Sequence, residues 1–362
     1  VKRVCLIGSH VRPWMENAAL HGHGVTAIDR FNDWDLRFFG DCMGSERVVS
    51  GTHMAKPGRD EFLKRFAELP HDPVIFCSPV ESFPEILEKA AKTRRVLNAP
   101  ASSVEKCRDL EFLRDFCGDD MLIPETSRDG GEPRQGWIIK PTASAGGIGI
   151  RADDGLLSGV EYRQKFVDGV PAGGIFFTEN GETKFFGLAR QINSGFKFAG
   201  SVYPADFEPG VLAATARFGE RLATAAGLAG WWGADFIIAD GVAHLLEVNP
   251  RFTAGMELCA KAHGIDLVET QSSAFSGDKC HMETGWNGAY HGRKVVYARG
   301  DLVFKNPERW FKAGMRDVPV GGKIISKGEP VISVYASAAG HEECIEKLSV
   351  KIEEFEREIY GE

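Results

Sequence analysis

Short apolar runs alternate with segments of helical spacing over the first hundred residues. RVCLIG (3–8), VTAIDRF (25–31), VVSG (48–51) and PVIFCSP (73–79) predict strands. EFLKRFAEL (61–69) places Phe62, Phe66 and Leu69 at helical spacing, and PEILEKAAKT (84–93) opens on a proline suited to a first helical turn. RVLNAP follows at 95–100. Strands and helices in this alternation predict a parallel α/β sheet over residues 1–97. The pattern changes after Asn98. A helix is expected at 103–116, a strand at 135–141, a Gly-rich loop at 142–152 and a helix at 161–167. Two strands, 173–180 and 184–192, flank an Asn180-Gly181 turn. Helical periodicity runs over 208–227 and stops at Gly227, a hairpin spans 233–251, and one further helix covers 255–276. The last part holds the strands VVYARG (295–300) and VISVYAS (331–337) and a charged helix from about Glu342. Its Ile345, Leu348, Ile352, Phe355 and Ile359 share one face, expected to dock on the protein's own core.

Composition removes several function classes. Lys and Arg total 43 against 51 Asp and Glu, a net charge of −8, which argues against nucleic-acid binding but permits a local basic pocket. No apolar run approaches the ~20 residues needed to span a bilayer. VKRVCLIGSH at the start lacks the long apolar stretch of a secretory signal. The expectation is a cytoplasmic protein with neither membrane nor nucleic-acid partners. Eight scattered cysteines with no CxxC pair read as reduced thiols. Cys280-His281, the only adjacent Cys/His pair, lacks the ligand count of a zinc site.

Two stretches carry candidate chemistry. GIGIRA (147–152) matches G-x-G-x-x-A, but the residues after it do not open a helix, so a dinucleotide fingerprint is excluded. A Gly-rich hairpin loop can instead wrap a phosphate with its backbone N–H groups. GGK at 321–323 is followed by Ile, so there is no Walker A motif. The second stretch is GADFIIADGVAHLLEVNPR (233–251), turning at Asp240-Gly241. A two-residue loop would put Asp235 and Glu247 on opposite faces. A three-residue loop, Ala239-Asp240-Gly241, pairs Asp235 with Leu245 and puts Asp235, Glu247 and Asn249 on one face. The carboxylates are then diagonal neighbours with Cα atoms about 7–8 Å apart. That spacing suits Mg²⁺, which takes oxygen ligands and keeps waters and substrate phosphates. Arg251 would add a guanidinium for phosphate oxygens.

Lys140-Pro141 with the Ser144-Ala145-Gly146-Gly147-Ile148-Gly149 loop, followed by LLEVNPR (245–251), resembles the ATP-grasp superfamily, with the metal hairpin of biotin carboxylase and of small carboxylate–amine ligases. The resemblance covers roughly residues 98–277. It implies an α/β and α+β chain: a Rossmann-like parallel domain (1–97), a two-lobed ATP-grasp fold (98–277, lid roughly 125–167) and a C-terminal segment completing the fold (278–362). It further implies ATP and Mg²⁺ (or Mn²⁺) as cofactors. Lys106 and Lys140 would contact phosphates, and Ser144, Gly146 and Gly147 would fold over them. Gln164, Lys165 and Val167 would line the adenine, with Asp168 in place of the usual ribose-binding acid, since the ordinary position holds Pro171. Asp235, Glu247 and Asn249 would hold the metal, and Arg251 with Lys140 would stabilise the transferring phosphoryl group. Many relatives carry Glu at the place of Gln164, so the adenine contact differs.

The implied reaction activates a small-molecule carboxylate as an acyl phosphate for attack by an amine, an ADP-forming carbon–nitrogen ligation, with a place in coenzyme biosynthesis suggested by 315–336 and the DRFNDWD run. Weaker resemblance there is to tyramine–glutamate ligase-like proteins. Alternatives are a biotin carboxylase- or carbamoyl-phosphate-type enzyme, or a nucleotide-binding protein without turnover. Arg12, after the first strand, is a candidate for the substrate carboxylate, and Arg190, Lys197 and the GFKFAG stretch (195–200) are candidates to line the acceptor site. The assembly state is left open, a homodimer included.

Overall fold

The computed structural model describes residues 2–44, 66–79, 84–142, 146–280, 282 and 285–361. The 48–51 strand, most of the 61–69 helix, Ser144 and His281 of the Cys-His pair lie outside the described residues.

The N-terminal strands are β1 (Arg3–Gly8), β2 (Gly24–Asp29), β3 (Asp41–Gly44) and β4 (Val74–Phe76), all parallel, in the order β3-β2-β1-β4. Helix α1 (Arg12–Leu20) crosses from β1 to β2, and α2 (Pro84–Ala91) follows β4. Val4 to Gly8 are buried without interruption, the signature of a strand covered on both faces. RVLNAP forms no strand; Val96 makes only an isolated bridge to Val74.

Two short helices, α3 (Ala101–Arg108) and α4 (Leu110–Arg114), replace the single helix expected at 103–116. Asp109 breaks the run because its carboxylate caps the second helix, accepting from the Glu111 and Phe112 amides. A small antiparallel sheet comes next, ordered β6-β9-β7-β8, from β6 (Thr126–Ser127), β7 (Trp137–Pro141), β8 (Arg151–Ala152) and β9 (Glu161–Lys165). The helix expected at 161–167 is therefore a strand. Its five residues pair with β7 from Trp137↔Lys165 to Pro141↔Glu161, and this ladder overrides local helical preference.

The main sheet has eight strands in the order β18-β15-β12-β11-β10-β13-β14-β5. They are β5 (Met121–Leu122), β10 (Val170–Glu179), β11 (Glu182–Ser194), β12 (Lys197–Tyr203), β13 (Gly230–Ala239), β14 (Val242–Asn249), β15 (Tyr290–Tyr297) and β18 (Pro330–Ala338). A two-stranded piece, β16 (Leu302–Val303) with β17 (Ile324–Ile325), stands apart. Alternation along β10 and β13 builds two cores. Phe176 and Trp232 stack at 4.2 Å on the face shared with Phe218 of α5 (Pro209–Ala226). Phe177 and Trp231 face the opposite way, into the core shared with Trp14 of α1 and with α6 (Ala254–His263) and α7 (Leu267–Ala274). The expected single helix over 255–276 is divided at Gly264, φ +64°, a left-handed cap that glycine accepts readily. Gly227 ends α5 in the same way, as the sequence predicts. Helices α8 (Pro307–Lys312) and α9 (His341–Tyr360) complete the chain, and Leu348 and Phe355 of α9 dock on the core as expected.

All eight cysteines are free. Among the described residues no helix is long and apolar enough to cross a membrane.

Candidate functional site

The β13–β14 hairpin turns on two residues, not three. Asp240 (φ +50°) and Gly241 (φ +74°) both take positive φ, and Ala239 pairs with Val242. Continued regularly, that register would set Asp235 opposite Leu246 and turn Glu247 to the other face. The register slips between Asp235 and Phe236, so that Asp235 pairs with Glu247. Leu246 is the extra residue of this bulge. The expected three-residue loop and diagonal placement are thus corrected, while the shared face stands. Asn249, two residues on, lies on that face too.

A hydrogen-bond net fixes the three side chains. Asp235 accepts from Gln191 Nε2 at 2.7 Å and from Asn249 Nδ2 at 2.9 Å. Asn249 Oδ1 in turn accepts from Arg251 at 3.0 Å. Burial and the adjacent Glu247 push the Asp235 carboxyl up to about 7. Among the described residues no three His, Cys, Asp or Glu side chains converge. The donor set here is two carboxylates and a carboxamide. That set fits Mg²⁺, which binds through one or two carboxylates and retains waters, and the crowded negative charge fits a cation between them.

Two cavities, of about 740 and 430 Å³, share Lys140, Leu246, Glu247 and Asn249 on their walls. The larger lies between the small sheet and the α3–α4 corner, with Arg108, Arg114, Arg128 and Tyr162 on its walls. Lys140 is buried; its Nζ donates to Gln164 Oε1 at 3.3 Å. Gln164 Nε2 is a buried donor with no partner. Lys165, Val167 and Asp168 run from the end of β9 toward β10 and line neither cavity. Lys106 points elsewhere: its Nζ donates to the Ala225 carbonyl at 2.9 Å, and Arg108, at the end of the same helix, lines the cavity instead.

The smaller cavity is closed on one side by Gly146, Gly147 and Ile148. Phe198 N donates to Gly146 O at 3.1 Å, tying this loop to the β11–β12 turn. A Cβ on Gly147 would stand 1.8 Å from Phe196 O, at φ +75°. The opposite wall comes from the carboxyl ends of the parallel strands: Ser9 and His10 after β1, Arg30 and Phe31 after β2, Ser78 after β4. Helix α6 begins at this cavity with Ala254 and Gly255, where its free amides favour an anion.

Neither Arg12 nor Arg190 lies on these walls. Arg12 is 2% exposed and fully engaged: it donates to Glu257 at 2.7 and 3.0 Å, to Asp317 and Glu16 at 2.8 Å each, and to the Tyr335 hydroxyl. Arg190 is exposed and faces away, since its neighbours Ala189 and Gln191 are the β11 residues on the cavity wall. Arg293, Ser201 and Gln191 line the cavity without any signal in the sequence; only the sheet order brings β12 and β15 beside β11.

This arrangement is that of an ATP-grasp fold: a parallel N-terminal sheet, a small antiparallel sheet and a larger mixed sheet bearing an acidic hairpin. Residues 108–255 match the family model of the ATP-grasp domain. The fold is similar to that of the L-amino acid ligase from Bacillus licheniformis, with a TM-score of 0.70 at 17% identity over 96% of each chain. It is similar also to N5-carboxyaminoimidazole ribonucleotide synthetase from Thermus thermophilus, with a TM-score of 0.69 at 15% identity over 96% of each chain. In sequence, a 139-residue stretch is 30% identical to the carbamoyl phosphate synthase large chain of Thermomicrobium roseum. That stretch is 38% of this chain and spans 12% of the relative's length.

Proposed function

We propose that this protein is an ADP-forming ligase that activates a small-molecule carboxylate with ATP and joins it to an amine. The observation that carries the reading is the bulged hairpin, which sets Asp235 against Glu247 where the two cavities meet. The nucleotide takes the larger cavity, under the lid (roughly 125–167). The acceptor takes the smaller one, bounded by the domain 1–97 and the segment 278–362.

Asp235, Glu247 and Asn249 would hold Mg²⁺. When bound, the ion supplies charge neutralisation on the phosphoryl oxygens and a template for in-line transfer. The protein's own groups do the rest. Lys140 and the amides of Gly146 and Gly147 hold phosphate oxygens. Gln164 offers its unpartnered Nε2–H to a base acceptor. Arg251, tethered through Asn249, faces charge developing at the acyl oxygen. The loop latched to the β11–β12 turn excludes water, which an acyl phosphate requires. Eight free thiols suit a reducing, cytoplasmic setting.

The test is Mg²⁺-dependent ATP binding by thermal shift and calorimetry, then ADP release. A ligand at a hundredfold its Kd stabilises the native state by about 2.7 kcal/mol. Wild type should show that shift, and Glu247→Ala should lose its Mg²⁺ dependence. ADP release that requires both a carboxylate and an amine supports ligation. Release driven by bicarbonate alone would instead favour a carbamoyl-phosphate-type reaction, the chemistry of the relative matched in sequence.

A further inference from the structure

The smaller cavity carries two kinds of charge on two walls. Its acidic side chains, Asp235 and Glu247, both sit on the hairpin. Of its four cations, Lys140 and Arg251 stand beside them. Arg293 is neutralised by Asp317 at 2.8 Å and lies 3.7 Å from Glu257. Arg30 is different. Its guanidinium lies over the Phe31 ring at 5.2 Å, and among the described residues no carboxylate pairs with it.

Two further polar groups on the same cavity lack partners. Arg293 Nη1 meets His10 Nε2 at 3.0 Å. An arginine only donates, so Nε2 is the bare nitrogen and the proton sits on Nδ1. Burial and the Arg293 charge hold the imidazolium form down to about 3, so His10 is neutral at working pH. Its Nδ1–H makes no hydrogen bond among the described residues. Ser201 Oγ, on a residue 2% exposed, is buried without a partner. A buried hydroxyl left unpaired costs free energy that a ligand can recover.

We propose that Arg30, His10 Nδ1–H and Ser201 Oγ form an anion subsite for a second acidic group of the substrate, apart from the carboxylate activated at the hairpin. The substrate class is a carboxylate bearing a further carboxylate or a phosphate-like group. This rests on the ligase reading, which fixes the reacting carboxylate at the hairpin. Phe31, Phe198 and Tyr297 on the same cavity walls would offer apolar surface to the linking carbon chain.

The experiment measures direct binding by calorimetry on the full chain, so turnover is not needed. Probes are glutarate and 4-phosphonobutyrate, each with two acidic groups, against butyrate with one. Each is titrated with and without a non-hydrolysable ATP analogue and Mg²⁺. Both diacids should bind at least tenfold tighter than butyrate. Arg30→Met, a change on a half-buried side chain with no ion pair, should bring all three within twofold and leave the nucleotide analogue's affinity unchanged. Ser201→Ala should reduce the preference in the same direction. A stronger preference for one diacid identifies the second group as carboxylate or phosphonate. Diacids that bind no better than butyrate, including no binding of any probe, overturn the subsite, as does a preference that survives Arg30→Met. Failure of the ligase reading looks different: the Mg²⁺–nucleotide analogue does not bind while the diacid preference persists.

Discussion

Arg12→Met separates a structural arginine from a substrate-binding one. In the structure, Arg12 joins α1 to Glu257 on α6, Asp317 on the loop before β17 and Tyr335 on β18. Its side chain and that of Glu257 are each 3% exposed. Removing the guanidinium leaves Glu257 with Lys261 at 3.1 Å, a partner 38% exposed, and with Arg293 at 3.7 Å. Asp317 keeps only Arg293. Breaking one side of a buried pair costs about 3–5 kcal/mol, because the remaining charge stays desolvated. We expect Arg12→Met to lower unfolding free energy by about that amount in urea titrations. Arg12→Met combined with Glu257→Leu should recover much of the loss, since removing both charges removes the stranded one. Under conditions where the variants remain folded, affinity for the acceptor should stay within about threefold of wild type, a change under ~1 kcal/mol. A variant that loses less than about 1 kcal/mol of stability yet no longer binds acceptor would refute this reasoning. It would return Arg12 to the substrate.

Other outcomes follow from the same geometry. Gly147→Ala puts a side chain into left-handed backbone, at a cost of about 1–2 kcal/mol, and against the Phe196 carbonyl. The loop should release, raising KM for ATP with little change in urea stability; an unchanged KM would show that the latch is not used. Stability should also peak in mildly acidic buffer. Burial pushes Asp29 up to about 7 and Asp35 up to about 6, so both bind protons more tightly folded than unfolded and destabilise the fold as pH rises toward and past 7. Burial raises Glu257 and Asp317 as well, but the arginine charges around them prevail and hold both below the usual carboxylate range. Their contribution is present above about pH 4.5 and fades as pH falls below it. Thermal melts from pH 4 to 8 test this: a melting temperature that climbs steadily to pH 8 contradicts the first part. Gln191→Leu removes the 2.7 Å donor to Asp235 and should raise the Mg²⁺ requirement roughly tenfold, on the scale of second-layer ligand partners; unchanged Mg²⁺ dependence would exclude that support.

Residue types were more legible than register. Asp235, Glu247, Asn249 and Arg251 are readable as candidates because the last three fall at every second residue after an Asp-Gly turn and Asp235 lies on the strand before it. The bulge is not readable, because the Asp-Gly turn fixes a two-residue register and the one-residue slip at Leu246 lies beyond it. Arg190 misleads for a related reason. Arg190, Gln191 and Asn193 are all polar, so the strand carries no alternation from which to read its inner face. The segment 161–167 misleads because five residues that satisfy a helical pattern also satisfy a strand's, and only the pairing with β7 decides. Arg12 sits where an open parallel sheet meets its ligands, yet apart from Glu16 its partners come from residues 245 to 323 positions away.

That long-range network also bears on how the proposed subsite would measure a substrate. Arg30 and His10 follow strands of the parallel sheet, whereas Ser201 and the acidic hairpin belong to the mixed sheet. A subsite that spans both sheets keeps its shape and its distance from the hairpin only if the two sheets keep a fixed separation. The Arg12, Glu257, Asp317, Arg293 and Tyr335 cluster supplies that fixity, with two guanidinium charges against two carboxylates. Because this core is neutral, it adds little net field to the cavity, which leaves Arg30 as the charge that selects. The same Arg293 that balances Asp317 also fixes the His10 tautomer. Docking of the sheets and presentation of a donor at the proposed subsite therefore share one residue, Arg293.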